Sequence, residues 1–173
     1  MYSFDECGFA PSLPTTASWC LPGQRKRVPY EYPSGRRVNA LAAYEPLATE
    51  PWLGSCAPER TLTSDDVLAY LGGLPAAAVP RVVVLDNAGI HTGKQVKAER
   101  KALSRQGLDL YFLPPYRPER NEIEPVSKQV KHHDIPMRSH TSKAELRTSV
   151  EGGFATRAKL LRDKGNKAPR RAA

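Results

Sequence analysis

The spacing of apolar residues changes period along this chain, and each change marks a different element. Tyr2 to Phe4 is a short apolar start that stops at Asp5 and Glu6, which predicts the end of a strand of about four residues, a first strand cut short. Residues 10–35 hold five prolines and two glycines and read as an irregular segment with short extended pieces. In RVNALAAY (Arg37 to Tyr44), Val38, Ala40 and Ala42 alternate while Leu41 and Ala43 fill the other side, as in a strand buried on both faces. Thr63 to Asp66 supplies an N-cap and an acidic first turn. Val67, Leu68, Leu71 and Leu74 then recur at helical spacing until Gly72 and Gly73 end a short helix.

The second half is more regular. RVVVL (Arg81 to Leu85) is a β-branched run between Pro80 and Asn87, the pattern of a buried parallel strand. Thr92 with Gln95 predicts a capping box, Val96 and Leu103 share one helix face, and Gly107 suits a left-handed stop. Leu108 to Leu113 reads as another strand, which completes a βαβ unit with a right-handed crossover. After Pro114, Pro115 and Pro118, a helix carries Ile123, Val126 and Val130 on one face, with Pro125 in its first turn and Glu124 near its N-terminus. A last helix starts at a second capping box, Ser142 to Glu145, and carries Leu146, Val150, Phe154, Ala158 and Leu161 on one face, with Gly152 and Gly153 weakening its middle. The fold class is α/β with a partly parallel sheet. Residues 1–164 form one domain and 165–173 a basic, disordered tail.

Composition narrows the function. No apolar run is long enough to span a membrane, and no secretory signal opens the chain. Cys7, Cys20 and Cys56 lack a CxxC spacing, so neither a disulfide framework nor a zinc knuckle is indicated, and a reducing, cytoplasmic setting fits. The net charge of +8 is uneven: residues 1–80 hold six Lys/Arg against eight Asp/Glu, and 81–173 hold twenty against ten. A basic half of this kind suits a polyphosphate partner, because neutralised phosphates release condensed counterions.

Three acids stand where a metal enzyme would place them. Asp5 follows the first strand residues, Asp86 ends a buried strand, and Glu124 heads a helix. A carboxylate at a strand end of an α/β sheet usually faces the ligand crevice. Gathered there, such acids would repel one another unless a cation sat among them. Magnesium or manganese suits hard oxygen donors of this number, and a two-metal site would serve in-line displacement at phosphorus. Taken singly, an Asp after a strand is more often a turn residue or helix cap.

The wording around the acids adds to that reading. FDECGF, VVVLDNAGIH and LPPYRPERNEIEPVSKQVK resemble, in order and separation, the three signature blocks of DDE transposases, specifically mariner-like bacterial insertion-sequence enzymes of the six-thirty group. The resemblance runs from about Tyr2 to Lys164. It implies a ribonuclease H-like mixed sheet flanked by helices, and it assigns the catalytic, metal-holding roles to Asp5, Asp86 and Glu124, the last being the Glu three residues after an asparagine. It also implies DNA ends and target DNA as partners, homo-oligomers when active, a bacterial nucleoid-associated setting, and helix-turn-helix modules that recognise element ends. No such module precedes Tyr2, so an upstream half is the expected source of end recognition. The group carries proline where Glu122 stands and tryptophan where Ser127 stands, and the second change removes a large apolar anchor beneath the catalytic helix.

Around these acids, His91 matches the second block and either touches substrate phosphate, orders the site or is a loop histidine. Lys94, Lys97 and Lys101 share a helix face that could track a DNA backbone, and Arg117, Arg120, Lys128 and Lys131 flank Glu124 as candidate phosphate contacts. His132, His133 and Asp134 mimic a zinc cluster, but adjacent helical positions diverge by about 100° and cannot easily share an ion. Three functions compete: a transposase catalytic domain that hydrolyses and transfers DNA strands, a noncatalytic remnant or regulator that binds DNA or partner transposase, and a small nuclease of the same fold.

Overall fold

A strand belongs in the interior of a sheet when both of its edges find partners, and the first residues of this chain meet that condition. The computed structural model describes residues 1–11, 20–25, 36–48, 50–75, 78–115, 117, 120–136 and 138–167. Strand β1 (Tyr2–Phe9) pairs antiparallel with β2 (Val38–Glu45), from Ser3 opposite Tyr44 to Phe9 opposite Val38. β2 pairs antiparallel with β3 (Trp52–Cys56), while β1 runs parallel to β4 (Arg81–Leu85) and β4 parallel to β5 (Leu108–Phe112). The sheet order is β3-β2-β1-β4-β5.

Helices cover both faces of this sheet, the ribonuclease H-like arrangement. One face packs Val38, Ala40, Ala42 and Phe9 against Ile123, Val126 and Val130 of helix α4 (Ile123–Gln129) and its continuation, and against Leu146, Val150 and Phe154 of α5 (Lys143–Lys167). The other packs Phe4, Leu41, Ala43 and Val83 against Val67 and Leu71 of α1 (Ser64–Gly72) and Val96 and Leu103 of α3 (Lys94–Arg105). A one-turn helix, α2 (Gly89–Thr92), precedes α3. β2 thus divides its odd and even side chains between two cores, as its alternation predicts. Among the described residues no helix is long and apolar enough to cross a membrane.

Several local expectations need correction. The first strand is not a four-residue stub: β1 continues through Asp5 and Glu6, because its backbone remains bonded to β2 after the apolar run ends. β3 was not expected at all, since Gly54 and Ser55 break its alternation, yet Trp52 pairs with Glu45 across a short turn. Thr92 does not form a capping box. It ends α2, its hydroxyl donates to the Ala88 carbonyl at 3.1 Å, and Gly93 is the N-cap of α3. At α5 the Ser142 hydroxyl accepts from the Glu145 amide at 3.1 Å, but the Glu145 carboxylate bonds Thr141, one residue earlier than a capping box requires.

The other boundaries follow local chemistry. Gly107, with φ +83, makes the left-handed turn between α3 and β5. α4 runs into a π-helical turn at Val130–Asp134, where Asp134 is held by Arg157 of α5 at 2.7 and 2.9 Å. α5 extends to Lys167, three residues into the segment expected to be a tail, and 168–173 lie outside the described residues. Most of the proline-rich stretch 10–35 and Pro118 lie outside them as well.

Candidate active site

The parallel pairing of β1 with β4 explains how residues 81 apart in sequence come together. Tyr2 lies opposite Val83 and Ser3 opposite Val84, and the same offset carried two steps further sets Asp5 level with Asp86. The two strands part at this point, and both aspartates sit at the mouth of the gap. One oxygen from each carboxylate and a ring nitrogen of His91 lie within 4.8 Å of one another.

Each aspartate is oriented by its own backbone neighbourhood. Oδ1 of Asp5 accepts the Glu6 amide at 2.7 Å. Oδ1 of Asp86 accepts the Ala88 amide at 2.9 Å and Nδ1 of His91 at 2.6 Å. In each case Oδ1 is engaged by local hydrogen bonds that fix the carboxylate. An ionised carboxylate only accepts, so the His91 proton resides on Nδ1. Burial lifts Asp5 from 3.8 to about 7, aided by the charges of Asp86, Glu124 and Glu6 and opposed by the Glu6 amide bond.

His91 is fully buried, with its ring 5.3 Å from that of Phe4, so it does not reach a DNA phosphate. Of the roles open to it in the sequence, the geometry matches ordering the site. Its Nε2 finds no hydrogen-bond partner. The hydrogen bond to Asp86 also makes Nδ1 a poor metal ligand, because the same lone pair cannot serve a cation while carrying a proton.

Glu124 arrives by a different route. Asn121, 1% exposed, donates from Nδ2 to the Phe4 carbonyl of β1 at 3.1 Å, and its own carbonyl accepts the Glu124 amide at 3.0 Å. Lys131 donates to the Gly8 carbonyl at 3.0 Å. Phe4 and Gly8 have the same strand parity, so side chains from the α4 segment take over the β1 edge where β4 has left it. Glu124 itself is exposed and outside the 4.8 Å group, but it lines a cavity of about 430 Å³ together with Asp86, Asn87, Leu113, Arg117 and Asn121. Two of the three predicted acids therefore meet, and the third shares a cavity with one of them, Asp86.

The remaining candidates separate by position. Lys94, Lys97 and Lys101 are exposed along α3, as are Arg117, Arg120 and Lys128 near the cavity. Lys131 is half-buried, with part of its hydrogen bonding committed to β1. His132 and His133 belong to no metal-competent group among the described residues. Ser127 is 7% exposed, and its hydroxyl lacks a partner where the resemblance would place a tryptophan. Sequence reasoning missed two positioning residues, Asn121 and Asn87. Asn87 donates to the Leu113 carbonyl at 2.6 Å and so ties the end of β4 to the residue after β5. Both stand inside the motif blocks, and the available signal was an amide one residue after Asp86 and another three before Glu124.

A family model described as DDE superfamily endonuclease matches residues 1–147. Among solved structures, the mariner Mos1 paired end complex with Mg is 15% identical, with a TM-score of 0.63, over 95% of this chain and 50% of that one. The Mos1 mariner paired end complex with Mn is also 15% identical, with a TM-score of 0.62, over 96% and 53%. The simian T-cell lymphotropic virus intasome in complex with PP2A regulatory subunit B56 gamma is 12% identical, with a TM-score of 0.58, over 99% and 55%. The chain thus spans about half the length of the structures it matches. No curated protein matches it.

Proposed function

The chain belongs to the DDE superfamily endonucleases, and from that premise we propose that it is the catalytic domain of a DNA transposase that hydrolyses a phosphodiester at an element end and transfers the freed strand to target DNA. The observation that carries this reading is the meeting of Asp5 and Asp86 at the parting of β1 and β4, with Glu124 on the wall of the same cavity.

The donor set fits a divalent cation. The acids offer hard oxygens, and the carboxyl of Asp5 resists ionisation because it is buried and, to a lesser degree, because its neighbours are acids, a condition that a cation relieves. Asp5 and Asp86 would hold Mg²⁺ or Mn²⁺, with Glu124 completing a two-ion site by rotation of its exposed side chain. Bound there, the ions would supply activation of the attacking oxygen and charge stabilisation at the leaving one. The protein's own part is positional. His91 and the Ala88 amide hold the Asp86 carboxylate in place, and Asn121 keeps the head of α4 against β1. Water attacks phosphorus, the bond to the 3' oxygen breaks, and the released 3' hydroxyl then attacks a phosphodiester of the target with loss of that bond's own 3' oxygen.

Recognition of element ends would come from a helix-turn-helix module, and the working form would be a homo-oligomer on DNA. With manganese, end-containing duplex and such a module supplied, the chain nicks DNA and Asp86→Asn loses at least about a hundredfold of that activity, in line with removal of a metal ligand. Equal nicking by both proteins would exclude the reading. A second reading, a regulator that binds DNA or partner transposase without cutting, is favoured by the place of Glu124 outside the 4.8 Å group and by the unpartnered hydroxyl of Ser127. It requires that Mg²⁺ leave the melting temperature unchanged.

A further inference from the structure

Beyond the carboxylates, a second cluster on β1 is unexplained. Gly8 lies three residues after Asp5 on the same strand. A Cβ built on Gly8 would lie 2.1 to 2.7 Å from Nη2, Nε and Cζ of Arg37, so the guanidinium occupies the space where any other residue would put its side chain. Lys131 approaches the same glycine from α4's continuation and donates to its carbonyl at 3.0 Å. Among the described residues, neither cation forms a salt bridge to a carboxylate. Arg37 is exposed, and Lys131 has used one of its three donors. Two like charges drawn to one residue with no ion pair to a carboxylate repel each other, and an anion that bridges them removes that cost.

We propose that Arg37 and Lys131, each held against Gly8, form a second anion site that takes a backbone phosphate of the DNA strand held at Asp5 and Asp86. The inference rests on the reading of the acids as a DNA-cutting centre and adds the substrate contact beside it. Three residues of strand span roughly 10 Å, and phosphates of one strand recur every ~3.4 Å of duplex axis. The site therefore grips the strand within a few phosphates of the one being cut. A single backbone phosphate suits the chemistry, because a guanidinium offers a planar fork and an ammonium a point charge.

The test separates this site from the chemistry by measuring binding alone, in EDTA, with a short mixed-sequence duplex across a series of salt concentrations. Each lost phosphate contact lowers the slope of log K against log salt by about 0.9. Arg37→Gln and Lys131→Gln each lower the slope by about one, and Asp86→Asn does not lower it. Gly8→Ala also lowers it, since the new methyl displaces the guanidinium while every charge is kept. Lys159→Gln, on the exposed side of α5, is the control and leaves the slope as in the wild type. Slopes for Arg37→Gln and Gly8→Ala equal to the control, or no measurable duplex binding by the wild type at low salt, would overturn the proposal. Loss of nicking in Asp86→Asn with these slope changes intact would confirm the two sites as independent.

Discussion

At the scale of single residues, the site is defined by which oxygen of each acid is already used. Asp86 spends Oδ1 on Ala88 and His91, and Asp5 spends Oδ1 on Glu6. His91→Ala removes the buried partner of Asp86, so affinity for Mn²⁺, measured by titration calorimetry, falls roughly 10–100-fold, the usual effect of losing a residue that orients a metal ligand. His91→Gln, which keeps a donor near the same point, recovers part of it. Asp5 carries the pH dependence. Its pKa rises from 3.8 in the unfolded chain to about 7 in the fold, so its stabilising effect is full below about pH 4 and lost as pH climbs through 7. Urea midpoints of the cation-free protein, corrected by those of Asp5→Asn, decline across that window. Affinity for Mg²⁺ increases across it as the proton leaves.

Among elements, the close contacts are made where small residues allow them. The two adjacent glycines of α5 have opposite roles. A Cβ at Gly153 would meet Ile135 at 2.9 Å and Val130 at 3.2 Å, whereas Gly152 faces open space. Gly153→Val therefore destabilises by about 1–3 kcal/mol through overpacking against the π-helical turn. Gly152→Ala stabilises by about 0.5–1 kcal/mol through helix propensity. Denaturant unfolding of the two variants would show opposite shifts. What looked in the sequence like a weak point of the helix is thus the place where α5 approaches α4's continuation, and the Asp134–Arg157 pair fastens the same junction. The sequence pattern located this helix well because its apolar face is periodic; it did not show β3, whose five residues carry little alternation and depend on β2 for their hydrogen bonds.

For the whole molecule, the proposed cation binding would be linked to folding, because Asp5 on β1 and Asp86 just after β4 come together only when the two strands pair. Mg²⁺ at 100 times its dissociation constant adds about 2.7 kcal/mol to the stability of the native state. The melting temperature rises with Mg²⁺ for the wild type, falls back on chelation, and loses this response in Asp86→Asn, as differential scanning fluorimetry would record. The uneven charge of the chain takes on a spatial meaning at this scale too. Arg37, from the less basic half, joins Lys131 from the more basic half beside β1.

Periodicity determined the α/β class, the parallel β4–β5 pair and the helices over Val67, Val96 and Leu146, and motif wording proposed the three acids, because each of these readings depends on neighbours close in sequence. The tertiary structure decided how far β1 runs, that β3 exists, that His91 turns inward, and that Arg37 reaches Gly8. Those outcomes rest on hydrogen bonds and packing between segments dozens of residues apart, which local patterns do not encode. Asp5 and Asp86 stand level only because two strands share a register, and a register is a property of the pair.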